Sequence, residues 1–241
     1  ELVQDTTTLE FGFFSAFRLN SSAITNGIYL PKYYDPAVEN ILRKLDGTCT
    51  RYSIQSLLND KVIELATGDE IGKMAYGTGS IPFVRTSDFS NWEIKADAKQ
   101  GVSEEIYEQY ALKEDVRPGD ILIVRDGTYL VGTSCLITEY DQKMLYCGGL
   151  IKIRVLKKDI LDEYLLLGLL NSYIVKRQIR TKQFTRDVID TLGQRLREVT
   201  LPLPHSVELR HSISVQIRHI IENRIEARDC VSNLSRQLIE L

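Results

Sequence analysis

Apolar residues occur in short runs through the first two thirds of the chain, and turn-forming residues separate these runs. The central example is Arg117–Gly132, which opens with a Pro-Gly-Asp turn and continues as four apolar residues, Ile121–Val124. A continuous apolar run bounded by turn residues is typical of a buried strand. A charged turn, Arg125–Gly127, follows it, and the chain becomes apolar again at Tyr129–Val131. The pattern predicts a β-hairpin that presents a charged, glycine-containing tip.

Strands and helices are predicted on both sides of this hairpin. Apolar residues at helical spacing predict a helix over Ala37–Leu45, which ends at an Asp-Gly pair. Strands mixed with helices in this way predict an α/β fold of the mixed α+β kind, with a mixed sheet and flanking helices. The other elements predicted in this region are strands at Lys61–Leu65, Ile81–Val84, Ser134–Thr138 and Gly149–Val155, and a helix at Val102–Glu114.

The last third of the chain has a helical pattern. Ile160–Leu170 is almost wholly apolar and predicts a buried helix that continues through Asn171–Gln183. Val199–Pro204 contains two prolines and predicts an extended exit segment. In Ser206–Leu241 apolar residues are alternately four and three positions apart, which is the heptad spacing of a coiled coil. A helix of this length extends about 54 Å, so we expect it to need a partner helix.

The apolar seam of this helix defines the surface predicted to meet the partner. One seam position is polar, Arg224, which either sets the register of the coil or interrupts it. An amphipathic helix packed on its own domain is the alternative. We divide the chain into a domain at residues 1–204 and a spacer or dimerisation helix at residues 205–241. The seam residues are Ile213, Ile217, Ile220, Arg224, Ala227, Val231, Leu234, Leu238 and Leu241.

The net charge of −3 over 241 residues disfavours a nucleic-acid binder, but the charge is unevenly distributed. Residues 152–241 contain 16 Lys and Arg against 11 Asp and Glu, whereas residues 1–151 contain 14 against 22. An acidic chain with one basic face can still bind a polyanion there. The four cysteines are scattered, the apolar runs are short and the start is polar. These features predict a cytoplasmic protein with reduced thiols, no metal site and no membrane segment.

Five basic residues and no acidic ones occur in residues 171–186. Because helix positions three and four apart are neighbours, Lys176, Arg177 and Arg180 share one face. Taken alone, the stripe is typical of a solvated helix face. Its lack of acidic neighbours, together with the family resemblance given below, leads us to predict that it contacts nucleic-acid phosphates, which gives affinity that depends on salt but not on sequence. A solvated helix face is the alternative. The predicted members are Lys176, Arg177, Arg180, Lys182 and Arg186, with Thr181 and Gln183 beside them.

Two further arginines, Arg85 and Arg125, each lie at the end of a predicted strand beside polar turn residues. Arginine is well suited to read guanine, because it can bond to O6 and N7 together. We therefore predict that both arginines contact DNA. Each has an alternative role in a surface ion pair, with Asp88 or Asp126 respectively. The turn residues predicted to act with them are Thr86, Ser87 and Tyr129.

One acidic cluster has the order of a metal-dependent nuclease site. Asp88 precedes Glu93-Ile94-Lys95, and in such enzymes carboxylates hold the metal while a lysine assists the attacking water. Only four residues separate the two acids, whereas the first acid normally lies further away. A nuclease using Asp88, Glu93 and Lys95 is therefore an alternative function. The histidines share no metal-ligand spacing with the cysteines.

Several stretches, in order, resemble the specificity subunit of type I restriction–modification systems. The resemblance covers most of the chain and lies in IYLPKYYDP (Ile28–Pro36), IPFVRTSDF (Ile81–Phe89), RPGDILIVRDGTYLVG (Arg117–Gly132), the stretch Thr181–Pro204 and the heptad helix. It implies a target-recognition domain that reads one half of a split DNA site, and long spacer helices on which methyltransferase subunits dock. It also implies that this chain is not an enzyme. The partner methyltransferase would use S-adenosylmethionine to methylate a flipped adenine, alongside a restriction subunit.

The chain departs from this family in one respect. The usual subunit has two recognition domains and two spacer helices, whereas each block occurs once here. The chain is then either half a subunit that pairs with itself or a piece of a longer polypeptide. The free heptad seam favours a homodimer that reads a two-fold symmetric site. A protein-interaction module without DNA readout is a further alternative.

Overall fold

The computed structural model of the chain describes residues 9–11, 14–90, 92–95, 99–127, 129–141, 143–186 and 189–239. Most of the strands are short and form two- or three-stranded sheets around one four-stranded sheet. In chain order the strands are β1 (Leu9–Phe11), β2 (Phe14–Ala16), β3 (Cys49–Ser53), β4 (Ile63–Thr67), β5 (Ile81–Val84), β6 (Phe89–Ser90), β7 (Glu93–Ile94), β8 (Gly101–Val102), β9 (Ile121–Val124), β10 (Asp126–Gly127), β11 (Ser134–Leu136), β12 (Leu145–Tyr146), β13 (Leu150–Val155), β14 (Phe184–Arg186), β15 (Ile189–Thr191) and β16 (Thr200–Pro204).

The α-helices begin at polar residues that satisfy their first free N–H groups. Asp35 accepts a hydrogen bond from the N–H of Ala37, and Asp162 accepts one from the N–H of Leu165. Of the described helices, none has the length and apolarity needed to cross a bilayer. The mixed α/β class and the long C-terminal helix predicted from the sequence are confirmed. The helices are α1 (Pro36–Leu45), α2 (Ile54–Asn59), α3 (Glu104–Glu114), α4 (Glu163–Asn171), α5 (Tyr173–Lys182) and α6 (Val207–Ile239).

The four-stranded sheet has the order β11-β9-β13-β4 and is antiparallel throughout. Strand β9 is buried on both faces. Ile121 and Ile123 belong to the large core cluster that includes α4 and α5. Leu122 and Val124 belong to a second cluster together with residues of β5 and β12, which pair in parallel. Burial on both faces explains why β9 is a continuous apolar run.

The predicted hairpin exists, but its second strand begins later than expected. Strand β9 pairs with β11, not with Tyr129–Val131, and residues 125–133 form a long connection between the two strands. Within this connection β10 pairs with β15, which also pairs with β14. Gly132 has φ +84°, and a Cβ there would lie 2.6 Å from Cγ2 of Ile179 in α5. Glycine therefore allows the connection to lie directly against α5.

The helix predicted from Ile160 to Gln183 is in fact two helices, α4 and α5. They meet at Ser172, whose backbone is extended (φ −64°, ψ 151°). The Ser172 hydroxyl donates a hydrogen bond to the Leu169 carbonyl and accepts one from the Val175 N–H, at 2.7 and 3.4 Å. Serine interrupts the apolar pattern here because its side chain can serve both helix ends.

Helix α6 has a packed half and an exposed half. Ile213 and Ile217 belong to the chain's own core cluster, together with Ile221 and Ile225. Gly168 of α4 permits this packing, because a Cβ there would lie 2.3 Å from Cδ1 of Ile217. The first two members of the predicted partner-facing seam therefore pack within the chain, which corrects their expected role. The division at residues 204 and 205 stays a prediction. The seam residues that are 40–72% exposed are Ile220, Val231, Leu234 and Leu238.

Buried and half-buried charges pair with one another at the end of the sheet where β9 begins. Arg154 of β13 bonds to both carboxylate oxygens of Asp120, through Nε at 2.7 Å and Nη2 at 2.8 Å. Its Nη1 lies 2.7 Å from Oδ2 of Asp115. Hydrogen bonds from Arg117 and then Arg154 lower the pKa of Asp115 to about 2. Three carboxylates thus face the guanidinium of Arg154, since Oε1 of Glu64 also lies 3.4 Å from its Nη1.

Helix α3 ends beside this network on a buried carboxylate. Glu114 is 2% exposed, and its carboxylate accepts hydrogen bonds from the backbone N–H groups of Tyr146 (2.9 Å) and Asp69 (3.3 Å). Burial nevertheless raises the pKa of Glu114 to about 7. Lys152 donates to the carbonyls of Glu114 and Asp115, which are among those left free where a helix ends. Burial lowers the pKa of Lys152.

Candidate nucleic-acid interface

Turns that are far apart in sequence meet at the opposite end of the sheet, where β9 ends. The carbonyl of Gly149 accepts hydrogen bonds from the backbone N–H groups of Arg125 (2.8 Å) and Asp126 (3.2 Å). A Cβ at Gly149 would lie 2.9 Å from Cγ2 of Thr86, so the turn after β5 lies against the same glycine. The fold therefore makes neighbours of two turns that the sequence predicted to contact DNA.

The turn after β5 is braced from within and leaves one cation exposed. Asp88 is fully buried, and its Oδ2 accepts a hydrogen bond from the N–H of Arg85 at 2.9 Å. The hydroxyl of Ser87 lies 3.3 Å from the other oxygen of Asp88. The side chain of Arg85 is exposed, with its guanidinium 5.7 Å from the centre of the Tyr76 ring. Both Asp88 oxygens are used within the turn, and among the described residues no carboxylate forms an ion pair with the Arg85 guanidinium, so the ion pair considered with Asp88 is not formed.

Arg125 is held differently, because it pairs with its own neighbour. Its Nη2 lies 2.6 Å from Oδ2 of Asp126, which is the ion pair considered as the alternative to DNA contact. The other oxygen of Asp126 accepts a hydrogen bond from the Thr191 hydroxyl at 2.5 Å. Arg125 therefore has a carboxylate partner in this structure, whereas Arg85 is exposed.

The basic stripe separates into paired and unpaired cations. Arg177 lies 2.7 Å from a carboxylate oxygen of Asp35, and Lys182 lies 2.8 Å from one of Glu198. The side chain of Lys182 is only 16% exposed. Although residues 171–186 contain no acidic residue, two cations of the stripe thus have carboxylate partners. Two predicted phosphate contacts, Arg177 and Lys182, are neutralised by residues from elsewhere in the chain.

Of the stripe's described side chains, the other two, Lys176 and Arg180, line a cleft of about 370 Å³. Among the residues the structure describes, no carboxylate pairs with either cation. Burial, and then the charge of Arg180, lowers the pKa of Lys176. Tyr129, which is 85% exposed, lies across the same cleft. Two like charges without a counter-ion beside an exposed aromatic ring are suited to binding an anion. The other residues lining the cleft are Val131, Gly132, Thr133, Ile179 and Gln183.

The remaining predicted residues of this region have supporting contacts or fall outside the description. Gln183 donates a hydrogen bond to the carbonyl of Val131 at 3.2 Å, which ties the long connection to the end of α5. Thr181 is buried, and its hydroxyl donates to the carbonyl of Gln178 at 2.7 Å. The backbone of Arg186 lies in β14, but its side chain lies outside the described residues. Leu241 lies outside them as well.

The acidic cluster considered for a nuclease serves the structure of the turns. Asp88 uses both oxygens inside its own turn, and Glu93 lies 3.5 Å from the guanidinium of Arg224. Lys95 donates a hydrogen bond to the carbonyl of Ser87 at 2.7 Å. In the described part of the chain, no three His, Cys, Asp or Glu side chains are grouped to hold a metal ion. This geometry does not favour the nuclease.

Helix α6 is also tied to the chain beyond its buried isoleucines. Arg224, the polar residue of the predicted seam, pairs with Glu93 of β7. One turn later Arg228 lies 3.6 Å from Asp141, and Asp229 accepts a hydrogen bond from Tyr140. These contacts extend the packed half to residue 229. Val231, Leu234 and Leu238 follow on the exposed half.

Sequence reasoning missed the residues that surround Lys182. Its Nζ lies 3.6 Å from the centre of the Tyr33 ring, and the Tyr33 hydroxyl donates to Glu198 at 2.5 Å. Burial and this bond to Glu198 raise the pKa of Tyr33. Arg195, from a 3-10 turn at Gly193–Glu198, stacks its guanidinium 3.9 Å from the centre of the Phe184 ring. The tyrosine pair in Ile28–Pro36 could have indicated that an aromatic ring packs near the stripe. No sequence pattern indicated the roles of Arg195 or Glu198.

Comparison with solved structures identifies the fold. The S subunit of the type I restriction–modification system from M. genitalium matches with a TM-score of 0.54 and 14% identity, over 80% of this chain and 44% of that one. The HsdS subunit from Thermoanaerobacter tengcongensis matches at 0.47, with 16% identity over 81% of this chain and 46% of that one. A structure of a type I restriction–modification assembly matches at 0.49, with 16% identity over 85% of this chain and 48% of that one.

The chain therefore has the fold of the M. genitalium S subunit and spans less than half of that subunit's length. No protein-family model matches the sequence. No curated protein matches it either. At 14% identity the likeness concerns the fold alone, so the activity has to be argued from the residues of this chain.

Proposed function

We propose that the chain is the specificity component of a restriction–modification system and reads one half of a split site in duplex DNA. The observation that carries this proposal is the cleft of Lys176 and Arg180, on a fold shared with an S subunit. Among the described residues, neither of its two cations has a carboxylate partner. Backbone phosphates would supply the missing anion. The metal-dependent nuclease and the interaction module have no comparable support.

The contacts divide into positioning and reading. Lys176 and Arg180 would bind phosphates and set the position of the duplex. Arg85 is the exposed arginine at the end of a buried strand, and it can bond to O6 and N7 of guanine in the major groove. Tyr129 is exposed beside the cleft and would contact sugar or base. Arg125, which is paired with Asp126, would read a base only by leaving its partner.

The proposed complex includes a DNA adenine methyltransferase and a restriction subunit that this chain directs to the site. The chain would select the sequence, while S-adenosylmethionine and the flipped adenine belong to the methyltransferase. A DNA-directed complex works in the compartment that holds the DNA, so we propose a cytoplasmic location. None of these roles requires a catalytic residue in this chain.

A second copy of the chain is proposed to complete the split site. The chain spans 44% of the M. genitalium S subunit, and the exposed half of α6 presents Val231, Leu234 and Leu238 at heptad spacing. Pairing these faces would place two identical domains about a two-fold axis. A further stretch of polypeptide could supply the second half instead, but the exposure of Val231, Leu234 and Leu238 favours a second copy.

Selection from a pool of randomised duplex DNA by the purified chain, at moderate salt, tests the proposal. An enriched two-fold symmetric motif with a fixed spacer supports both recognition and pairing. A single enriched half-site supports recognition and removes the homodimer. The selection is repeated with the methyltransferase subunit present. Absence of enrichment under both conditions overturns the proposed function.

A further inference from the structure

We infer that Arg195 is a positioning residue for the proposed DNA-reading surface, an inference that rests on the function proposed above. Its Nε donates a hydrogen bond to the carbonyl of Lys182 at 2.8 Å, and its Nη2 donates to the carbonyl of Thr191 at 2.9 Å. The flat guanidinium also stacks on the ring of Phe184 at 3.9 Å. One side chain thereby contacts three separate points of the fold.

These three points belong to the end of α5 and to both strands of the hairpin that follows it. Lys182 is the last residue of α5, where helix carbonyls have no partner within the helix. Phe184 lies in β14 and Thr191 in β15. Arg195 therefore fixes the hairpin to the helix that carries Lys176 and Arg180.

The hairpin in turn holds the connection that follows β9. The hydroxyl of Thr191 donates to Asp126 at 2.5 Å, and the N–H of Leu192 donates to the carbonyl of Arg125 at 2.9 Å. Among the described residues, β15 is the one strand that pairs with β10. Displacement of the hairpin would therefore displace the turn at Arg125, and with it the neighbouring turn at Thr86, which both lie against Gly149.

This arrangement separates the reading of bases from the binding of phosphates. Arg195 is half-buried and uses its guanidinium on inward contacts, so it does not itself face DNA. Base readout depends on the placement of the turns at Arg85 and Arg125. Phosphate contact depends on cations of α5, a helix that is packed in the core independently of Arg195. Loss of Arg195 should reduce discrimination between sequences more than affinity for DNA in general.

The test compares Arg195→Lys with Arg197→Ala, two variants in the same 3-10 turn. Lysine keeps the charge but has neither the flat stacking surface nor the fork that reaches two carbonyls. Arg197 is exposed, so its removal controls for the loss of one nearby cation. Each variant and the unaltered chain are measured for the ratio of Kd values on a selected and a scrambled duplex, for the salt dependence of binding, and for hydrogen exchange at the Leu192 amide without DNA.

For Arg195→Lys we expect discrimination to fall about tenfold, the effect of one misplaced base contact, while the salt dependence is unchanged. Exchange at Leu192 should become at least about tenfold faster. Arg197→Ala should preserve the discrimination ratio and the slow exchange. Unchanged discrimination in Arg195→Lys, unchanged exchange at Leu192, or a reduced salt dependence would each overturn the inference. If the unaltered chain discriminates no sequences while Leu192 exchange still responds to Arg195→Lys, the proposed function fails and the anchoring of the hairpin stands.

Discussion

At the end of the sheet where β9 begins, Arg154 is matched by Asp120 and Asp115 at distances of 2.7 Å. Where β9 ends, the connection it leads into lies across a cleft from Lys176 and Arg180, and the described residues provide no carboxylate for either cation. The same short strand thus separates charges that stabilise the fold from charges that are available to a ligand. Net charge alone, at −3 for the chain, does not distinguish the two ends.

Ion pairing with carboxylates also distinguishes neighbouring cations of α5 from one another. Arg177 is bound to Asp35 and Lys182 to Glu198, whereas Lys176 and Arg180 are not paired among the described residues. A cation in a buried ion pair is costly to remove because its loss leaves the partner's buried charge unsatisfied. Removal of an unpaired cation near solvent changes the stability of the fold little and mainly weakens ligand binding. This difference yields three predictions.

Replacement of Arg154 by Met should have the largest effect, on stability. It leaves Asp120, whose side chain is 2% exposed, without its guanidinium. Removal of one partner from a buried ion pair costs about 3–5 kcal/mol of unfolding free energy. The control is Arg117→Ala, because Arg117 also pairs with Asp115 but is 63% exposed, and its loss should cost about 0–1 kcal/mol. Urea denaturation measures both, and equal effects would contradict the comparison.

Glu114 gives a smaller effect that depends on pH, because backbone N–H groups rather than a cation face its carboxylate. Its pKa is raised from 4.5 to about 7 in the folded chain, so the folded state binds a proton more tightly than the unfolded state. The resulting stability is fully present below pH 4.5 and is lost as the pH rises through 7. The advantage of the unaltered chain over Glu114→Gln should therefore shrink by up to about 3 kcal/mol between pH 4 and pH 8.

Urea denaturation at a series of pH values checks this slope. Glu108→Gln is the matched control, since Glu108 lies on the same helix and is exposed. Its effect should stay within about 0.5 kcal/mol across the range. A difference between Glu114→Gln and the unaltered chain that does not change with pH would contradict this prediction. It would mean that Glu114 has the same pKa in the folded and unfolded chains, so that its backbone hydrogen bonds fully offset the effect of burial.

Local sequence patterns predicted individual strands and helices correctly where residues close in sequence determine them. The four apolar residues of β9 and the heptad spacing of α6 each identified an element correctly. The second strand of the hairpin was misplaced, because Tyr129–Val131 and Ser134–Leu136 are both short and partly apolar. Sequence spacing also did not reveal that α4 covers Ile217, since a seam buried by its own domain has the same period as one buried by a partner.

The candidate site was only partly accessible from the sequence for a related reason. The basic stripe was recognisable as five cations, but which of them are free depends on partners that folding brings to it. Asp35 is 142 positions away from Arg177, and Glu198 reaches Lys182 from the far side of the hairpin. Arg195 acts through two backbone carbonyls and one ring, and such contacts have no sequence pattern.

The smallest effect is expected on DNA binding, when Lys176 and Arg180 are replaced. It tests directly whether the cations near the end of β9 bind DNA. Each phosphate contact contributes about one unit to the slope of log affinity against log salt, so Lys176→Ala combined with Arg180→Ala should lower the slope by about two. Stability should change by less than about 1 kcal/mol, because the described structure provides no charge that these side chains satisfy. Salt titrations on a scrambled duplex measure the slope without a contribution from base readout.

Arg177→Ala is the matched control, because it removes a cation of the same stripe that is already bound to Asp35. It should leave the slope nearly unchanged. A fall of about one unit for Arg177→Ala, the value expected for one phosphate contact, would mean that DNA displaces Asp35 and uses the whole stripe. Ion pairing in the DNA-free chain would then no longer identify the residues that bind DNA. Only their position, near the end of the sheet where β9 ends, would do so.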